Sequence, residues 1–262
     1  MSTLLLIVIA TAALCAGFAV IYTLAKRMDN YGIVDIAWSY AFGALALFYA
    51  LAAPGWLPRR LLIATIVVLW SLRLGTHLYI RVIGHHPEED GRYQEMRKRW
   101  ADGFAGKMFV FYQQQAVSVV ILGLPFLLIA RNSASGFHPL EIAGAVLWLI
   151  AILGESTADA QLKAFKKNPA NKGKVCDVGL WHFSRHPNYF FEWGVWVAYF
   201  LFACASPWGW LSVICPAAML YLLLRVTGIP MTEEQSLRSR GDAYRRYQHT
   251  TSAFIPWFPK KS

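Results

Sequence analysis

Charge is what this sequence has least of. Only 15% of its 262 residues are Asp, Glu, Lys or Arg, against 56% hydrophobic residues, where a soluble domain carries roughly 25% charged residues. That deficit excludes an ordinary water-soluble enzyme and leaves an integral membrane protein. Cysteine is scarce as well. Cys15, Cys176, Cys204 and Cys215 show no C-x-x-C or zinc-type spacing, and three lie in apolar runs. They read as small hydrophobes, with no disulfide framework and no metal site. No G-x-G-x-x-G follows a strand, and Walker A, G-x-S-x-G and H-E-x-x-H motifs are missing, so the soluble nucleotide folds and common hydrolases are excluded. The first 26 residues carry no basic n-region, and their apolar core is too long for a cleaved signal peptide. With Leu14 before Cys15 they also fit a lipoprotein cleavage site poorly, and read as a retained first span.

What is present is apolar helix in lengths of about 20 residues, the span of a bilayer core. Seven spans are expected, at about 3–25, 33–53, 60–80, 109–130, 138–157, 188–205 and 207–227. Pro54, Pro58, Pro125, Pro139, Pro207 and Pro216 fall mostly at span ends, where proline is tolerated. The net charge of +10 argues for nucleic acid only until its location is seen. With seven spans, 21 of the 25 Lys and Arg fall on one side: Lys26 and Arg27, segments 81–107 and 163–185, and the chain from Arg225 onward. By the positive-inside rule the N-terminus is outside and the C-terminus cytoplasmic. Neither an internal repeat nor a low-complexity linker appears. The expectation is therefore a single all-α domain over 1–262, with spans one to four in about 1–130 and the rest in about 138–262.

Within this apolar chain the polar residues stand out. The stretch Gly179–Trp196, GLWHFSRHPNYFFEWGVW, runs from Trp181, Arg185 and His186 through Pro187, which suits a helix start. Asn188 and Glu192, four residues apart, share a face of the helix that follows. A carboxylate inside a membrane is costly and marks a site. A loop whose Arg185 and His186 meet lipid headgroups is the alternative. Asp35 starts span two with Trp38 and Tyr40 nearby. It reads either as a charge stabilising the helix N-terminus or as a carboxyl donating to a ligand oxygen. Arg73, His77 and Arg81 share one face of span three. They call for an anion, or for a structural salt bridge to Asp35 or Glu192. Residues 88–99, with Arg92 and Tyr93, read as a solvated loop or as a cover closing over ligand. Gln113, Gln114 and Gln115 begin span four and point in different helical directions. Glu155, Asp159 and Lys163 repeat at four-residue steps near the end of span five, followed by Lys166. The loop with Lys172, Gly173 and Lys174 suits phosphates or simply marks the cytoplasmic side. Thr232 can cap a short helix with Glu233 and Glu234 in its first turn. The aromatic, proline-rich stretch Phe254–Pro259 should pack on the membrane surface.

Over nearly its whole length the chain resembles the bacterial branch of the steroid 5α-reductase superfamily. The matching segments are VDIAW (34–38), RLGTHLYIR (73–81), EDGRY (89–93), Gln114–Gln115, 154–193 and 227–259. RHPNY alone is less specific, because isoprenylcysteine carboxyl methyltransferases carry a similar R-H-P-x-Y. The resemblance implies a seven-span reductase of the bacterial cytoplasmic membrane. It would use NADPH to saturate a C=C bond conjugated to a ketone, in a steroid or similar apolar enone taken from the bilayer. The cofactor residues it implies are Arg73, His77, Arg81, Asp159, Lys166, Lys172, Lys174, Trp181, Arg185, His186, Asn188, Tyr189, Glu192, Glu233, Glu234, Tyr244 and Tyr247. In the eukaryotic relatives a glutamate on span two and a tyrosine on span three grip the keto oxygen. Asp35 and Trp70 fall nearest those positions; Trp70 has no phenol, and Tyr40 is a substitute. Protonated Asp35 is the expected donor to the developing enolate oxygen, with Trp38 and Phe42 as apolar walls. Membrane lipids are the only other partners expected: no nucleic acid, and no obligate protein partner. Two rival readings remain. An S-adenosylmethionine-dependent methyltransferase acting on isoprenylcysteine or another lipid would not need Arg73 together with the basic loop at 166–174. A lipid- or sterol-binding protein would lack the carboxylates Asp35, Asp159 and Glu192.

Overall fold

The structure is a computed structural model that describes residues 1–226 and 228–260. Thr227, which closes the expected seventh span, lies outside the described residues. The described chain is all-helical, without strands. Six helical stretches are long and apolar enough to cross a membrane, as in a multi-pass membrane protein. They are Thr3–Met28, Ile33–Ala52, Leu57–Gly84, Phe104–Arg131, Pro139–Lys167 and Gly209–Arg240. The expected sixth span is a 17-residue helix, Pro187–Ala203, at the short end of what crosses a bilayer core. The chain divides into two compact units, Met1–Phe137 with Ser206–Gly209, and His138–Ala205 with Trp210–Ser262.

In the first unit, α1 (Thr3–Met28) is capped by the Ser2 hydroxyl and ends at Asp29 in the left-handed region. Few of its residues are buried: Leu4, Val8, Val20 and Leu24 are exposed, as expected of a helix surrounded by lipid. α2 (Ile33–Ala52) and α3 (Leu57–Gly84) form a close pair. Ser71 donates to the Ser39 carbonyl at 2.7 Å and accepts from the Gly43 amide at 3.2 Å. Gly75 lies under the Tyr40 ring, where a Cβ would approach a ring carbon to 2.6 Å. Small residues of this kind bring membrane helices together when lipid offers no hydrophobic drive. The expected fourth span is two helices, α5 (Phe104–Leu122) and α6 (Leu124–Arg131), broken at Gly123. Pro125 is the cause, since it lacks an amide hydrogen and takes the first turn of the new helix. Segment 88–99, expected as a loop, contains the short polar helix α4 (Gly91–Arg99), capped by Asp90.

Arg59 is only 2% exposed. It donates to the carbonyls of Asn132, Ala134 and Gly136 at 3.1, 2.5 and 2.7 Å, and lies over the Trp56 ring. Its neighbour Arg60 donates to the Ala50 and Ala53 carbonyls at the end of α2, the groups a helix C-terminus leaves unsatisfied.

In the second unit, α7 (Pro139–Lys167) begins with a capping box between His138 and Glu141. It packs along α9 (Pro187–Ala203), with Gly144 against the Ala198 and Phe202 backbone, where a Cβ would come within 2.9 Å. The other face of α7, with Ile142, Val146, Ile150 and Leu153, is exposed and suits lipid. After α8 (Leu180–Phe183) and α9 come α10 (Ile214–Tyr221), a π-helical turn at Leu222–Val226, and the polar helices α11 (Ile229–Arg240) and α12 (Asp242–Thr250). The chain then returns beside α8: Trp257 N–H donates to the Phe183 carbonyl and Ser184 Oγ to the Phe254 carbonyl. Phe254 is buried there against Phe190 and Trp193, while Trp257 and Phe258 stay exposed. Ile255, Trp257 and Phe258 are thus the part of this stretch available to a membrane surface.

Replacing Arg59 with Met would take the guanidinium donor from the Ala134 and Gly136 carbonyls and one of two donors from the buried Asn132 carbonyl, which the Trp56 amide also reaches. The expected loss is about 2–3 kcal/mol, read as a lower thermal midpoint in detergent, with α-helical content at low temperature unchanged.

Candidate functional site

Each unit holds one polar cluster, and the expected residues divide between them. In the first unit the centre is Asp35, in the first turn of α2. Its Oδ2 accepts from Arg92 Nη2 at 2.7 Å, and its Oδ1 from the Tyr93 hydroxyl at 2.8 Å. Arg81 Nη2 stands 3.9 Å from Asp35 and 3.4 Å from Asp90. Asp90 accepts from both the backbone amide and Nε of Arg92. α4 is tied down further along: Arg97 donates to Glu89 and Asp29 at 2.7 Å each and lies 4.9 Å over the Tyr31 ring. Glu89 accepts in turn from the Tyr31 amide. The supposed loop is therefore a helix clamped onto the α1–α2 turn, with Tyr93 2% exposed.

These contacts set the electrostatics. Burial alone would raise the Asp90 carboxyl, but the hydrogen bonds and charge of Arg92, with Arg81, hold it below the ordinary value. Burial likewise opposes the charge on Arg92, yet Asp35, Tyr93 and Asp90 raise it well above its ordinary value. Tyr93 is pushed up by burial and by the Asp35 charge.

Trp38, Tyr40, Phe42, Trp70, Arg73 and His77 make no hydrogen bond to the Asp35 carboxylate among those described. Trp70 is fully buried, edge-on to Phe42, which also meets Trp38 and Phe126. Trp38 Nε1 donates to Ser118 Oγ. Phe42 and Trp70 are fully buried in the core, and Trp38 is half-buried. Tyr40 pairs with the Thr76 hydroxyl at 3.1 Å. With Ala13, Leu14, Gly17, Phe18 and Ile36 it lines an open apolar cleft of about 380 Å³ between α1 and α2. Along α3, Arg73 is half-buried, and His77 and Arg81 are exposed.

In the second unit the centre is Glu233 on α11. Arg185 Nε donates to it at 2.6 Å, Gln248 Nε2 at 2.8 Å and the Tyr244 hydroxyl at 3.5 Å; His186 Nε2 lies 3.2 Å away. Arg185 Nη1 also donates to the Gln248 and Thr251 carbonyls. The His186 ring stacks on Tyr189, whose hydroxyl pairs with Thr232 at 3.0 Å. Tyr247 donates to the carbonyls of Trp181 and Ser184, and Trp181 Nε1 to the Ala158 carbonyl. Burial lowers His186 against the upward pull of Glu233, and burial beside Glu233 pushes Tyr244 up to about 12. At the start of α9, Asn188 donates to Asp159 at 3.3 Å, and one turn on Glu192 accepts from Trp196 Nε1 at 2.9 Å. Lys166, Lys172 and Lys174 lie on exposed surface. Glu234 points away from the network, to Arg238.

The network joins Trp181, Arg185, His186, Tyr189, Glu233, Tyr244 and Tyr247, with Asp159–Asn188 and Glu192 following along α7 and α9. Gln248 carried no signal in the sequence, because its role depends on a partner 15 residues away on another helix. Thr232, expected as a helix cap, instead meets Tyr189, 43 residues away.

Glu233→Gln keeps the shape of the network and removes its charge. The expected result is a loss of about 2–3 kcal/mol, with tryptic cleavage appearing first at Arg238, Arg240 and Arg245. For Asp90, the depressed value means its stabilisation is complete above the ordinary carboxylate range and lost as pH falls through the folded value. Asp90→Asn should therefore lower the thermal midpoint at neutral pH and match the wild type in acid.

A 73-residue stretch is 36% identical to the "Probable O-methyltransferase ustE" of Ustilaginoidea virens, covering 25% of this chain and 26% of that protein. The chain thus matches about a quarter of that relative's length. No solved structure matches. The family described as "Protein of unknown function (DUF1295)" matches residues 21–251, and the chain belongs to it.

Proposed function

We propose that the protein is a seven-span, NADPH-dependent reductase of the bacterial cytoplasmic membrane, with its N-terminus outside and its C-terminus cytoplasmic. It saturates the C=C bond of an apolar enone, of the 3-keto-4-ene steroid type, drawn from the bilayer. The observation that carries this reading is the pairing of charge with lipid-facing helix. Asp35, Arg92 and Asp90 gather at one end of α2. Asp159, Asn188 and Glu192 line the start of α9, beside helices whose outer faces are apolar. A protein that only binds lipid has no use for such groups, since each is costly near hydrocarbon.

The donor set fits NADPH. Lys166, Lys172 and Lys174 are exposed cations suited to phosphates. Asp159, Asn188 and Glu192 offer acceptors and an amide donor suited to hydroxyls and a carboxamide. Arg185 differs, because Glu233 and two carbonyls already occupy it. On this reading Arg185 and His186 hold α11 against the start of α9 and shape the site. When bound, NADPH supplies a hydride. The chain's own groups then orient the enone and stabilise the charge that develops on its oxygen, usually the largest contribution a protein makes. The apolar cleft beside Tyr40 is a path for substrate from the bilayer.

The similarity to the fungal protein favours a second reading, S-adenosylmethionine-dependent methyl transfer to a lipid. One experiment separates the two. Purified protein in detergent is given a 3-keto-4-ene steroid with NADPH, or a prenylcysteine with S-adenosylmethionine, and products are weighed by mass spectrometry. A gain of two hydrogens in the first arm supports the reductase, and a methyl gain in the second overturns it. Lys172→Ala with Lys174→Ala should raise the NADPH Kd about tenfold, measured by fluorescence titration.

A further inference from the structure

Asp35 is the residue the sequence offers as donor to the substrate oxygen, and the structure occupies both of its oxygens. Arg92 holds Oδ2 at 2.7 Å and the Tyr93 hydroxyl holds Oδ1 at 2.8 Å. A carboxylate accepting from a guanidinium and a phenol is an anchor, so the donor has to be one of the groups around it. Tyr93 directs its hydrogen to Asp35 and is buried. Arg81 is 44% exposed, and its hydrogen bond to Asp90 is long, at 3.4 Å, with Asp35 at 3.9 Å, so it is held less firmly. Arg92 is different. Its Nε donates to Asp90 at 3.0 Å, its Nη2 to Asp35 and Asp90, and its plane lies 5.5 Å over the Tyr93 ring. Its Nη1 makes no hydrogen bond to any described residue, and the side chain is 30% exposed. One edge of the guanidinium is locked by two carboxylates while the other presents its N–H groups outward.

We propose that Arg92 is the catalytic electrostatic donor of this protein: Nη1 binds the carbonyl oxygen of the enone, and Asp35, Asp90 and Tyr93 are positioning residues that aim it. The inference rests on the reductase reading above. As hydride adds to the β-carbon, the C=C electron pair shifts toward the carbonyl and its oxygen becomes an enolate oxygen. Arg92 meets that charge without giving up a proton, because a guanidinium stays protonated. The α-carbon then takes a proton from solvent, and the carbonyl re-forms in the saturated ketone. Donors held in place before charge develops cost no reorganisation during the reaction, which accounts for a guanidinium fixed by two carboxylates.

The test uses the full-length protein in detergent, with thermal midpoints measured for every variant. Arg92→Ala should lower kcat about 100- to 1000-fold, leave the NADPH Kd unchanged, and regain part of its rate when guanidinium ion is added. A second readout needs no cofactor. A flat naphthol, whose absorbance distinguishes its neutral and ionised forms, mimics the enolate. It should bind wild type as the anion and Arg92→Ala as the neutral form. Arg92→Lys, which keeps the charge without the second N–H edge, covers the case in which the alanine variant does not fold, and it too should lose turnover. Wild-type turnover in either folded variant overturns the proposal, as does a variant whose defect is weaker NADPH binding. Unchanged binding of the naphthol anion in Arg92→Ala overturns it as well. If the wild type reduces no enone, the reductase reading has failed, and this assignment fails with it.

Discussion

A charged side chain beside lipid-facing helix has to bring its counter-charge or its hydrogen-bond partners with it, and the polar architecture of both units follows from that constraint. Arg59 takes three backbone carbonyls. Arg97 takes Glu89 and Asp29, Arg92 takes Asp35 and Asp90, and Arg185 takes Glu233. Each guanidinium gathers several acceptors at once, which its planar, forked donors allow and a lysine ammonium does not. The arginines are therefore joints, and the lysines at 166, 172 and 174 are left for the exposed surface.

A second constraint shapes the apolar part. Hydrocarbon does not drive two apolar helices together, so the contacts rely on close backbone approach and short hydrogen bonds. The α2–α3 pair closes on Gly75 and on Ser71, and the α7–α9 pair on Gly144. Large side chains elsewhere on α1 and α7 face outward, where lipid is the neighbour. Each polar cluster lies at the end of such a pair.

The candidate site was legible in part. RHPNY announced itself by its polar residues and by Pro187 at the start of α9. Asp35 and Glu192 stood out as acids next to apolar chain. The roles of their neighbours were not readable. Arg185 was expected to meet a cofactor or lipid headgroups, yet its partners are Glu233 and the carbonyls of Gln248 and Thr251, 48 to 66 residues away. Segment 88–99 looked like solvated loop because its residues are mostly charged. Its helix exists because Asp90 caps it and because Arg92, Tyr93 and Arg97 reach acids on other helices.

The sequence by itself determined that the protein is helical and apolar, roughly where its long apolar helices lie, and which acids and bases stand next to them. These properties depend on hydropathy, proline position and capping, all local in the chain. Tertiary structure alone decided that Trp70 and Phe42 pack into a core and that both Asp35 oxygens are taken. The reason is physical. A carboxylate becomes an anchor or a donor according to what distant chain brings within hydrogen-bonding reach.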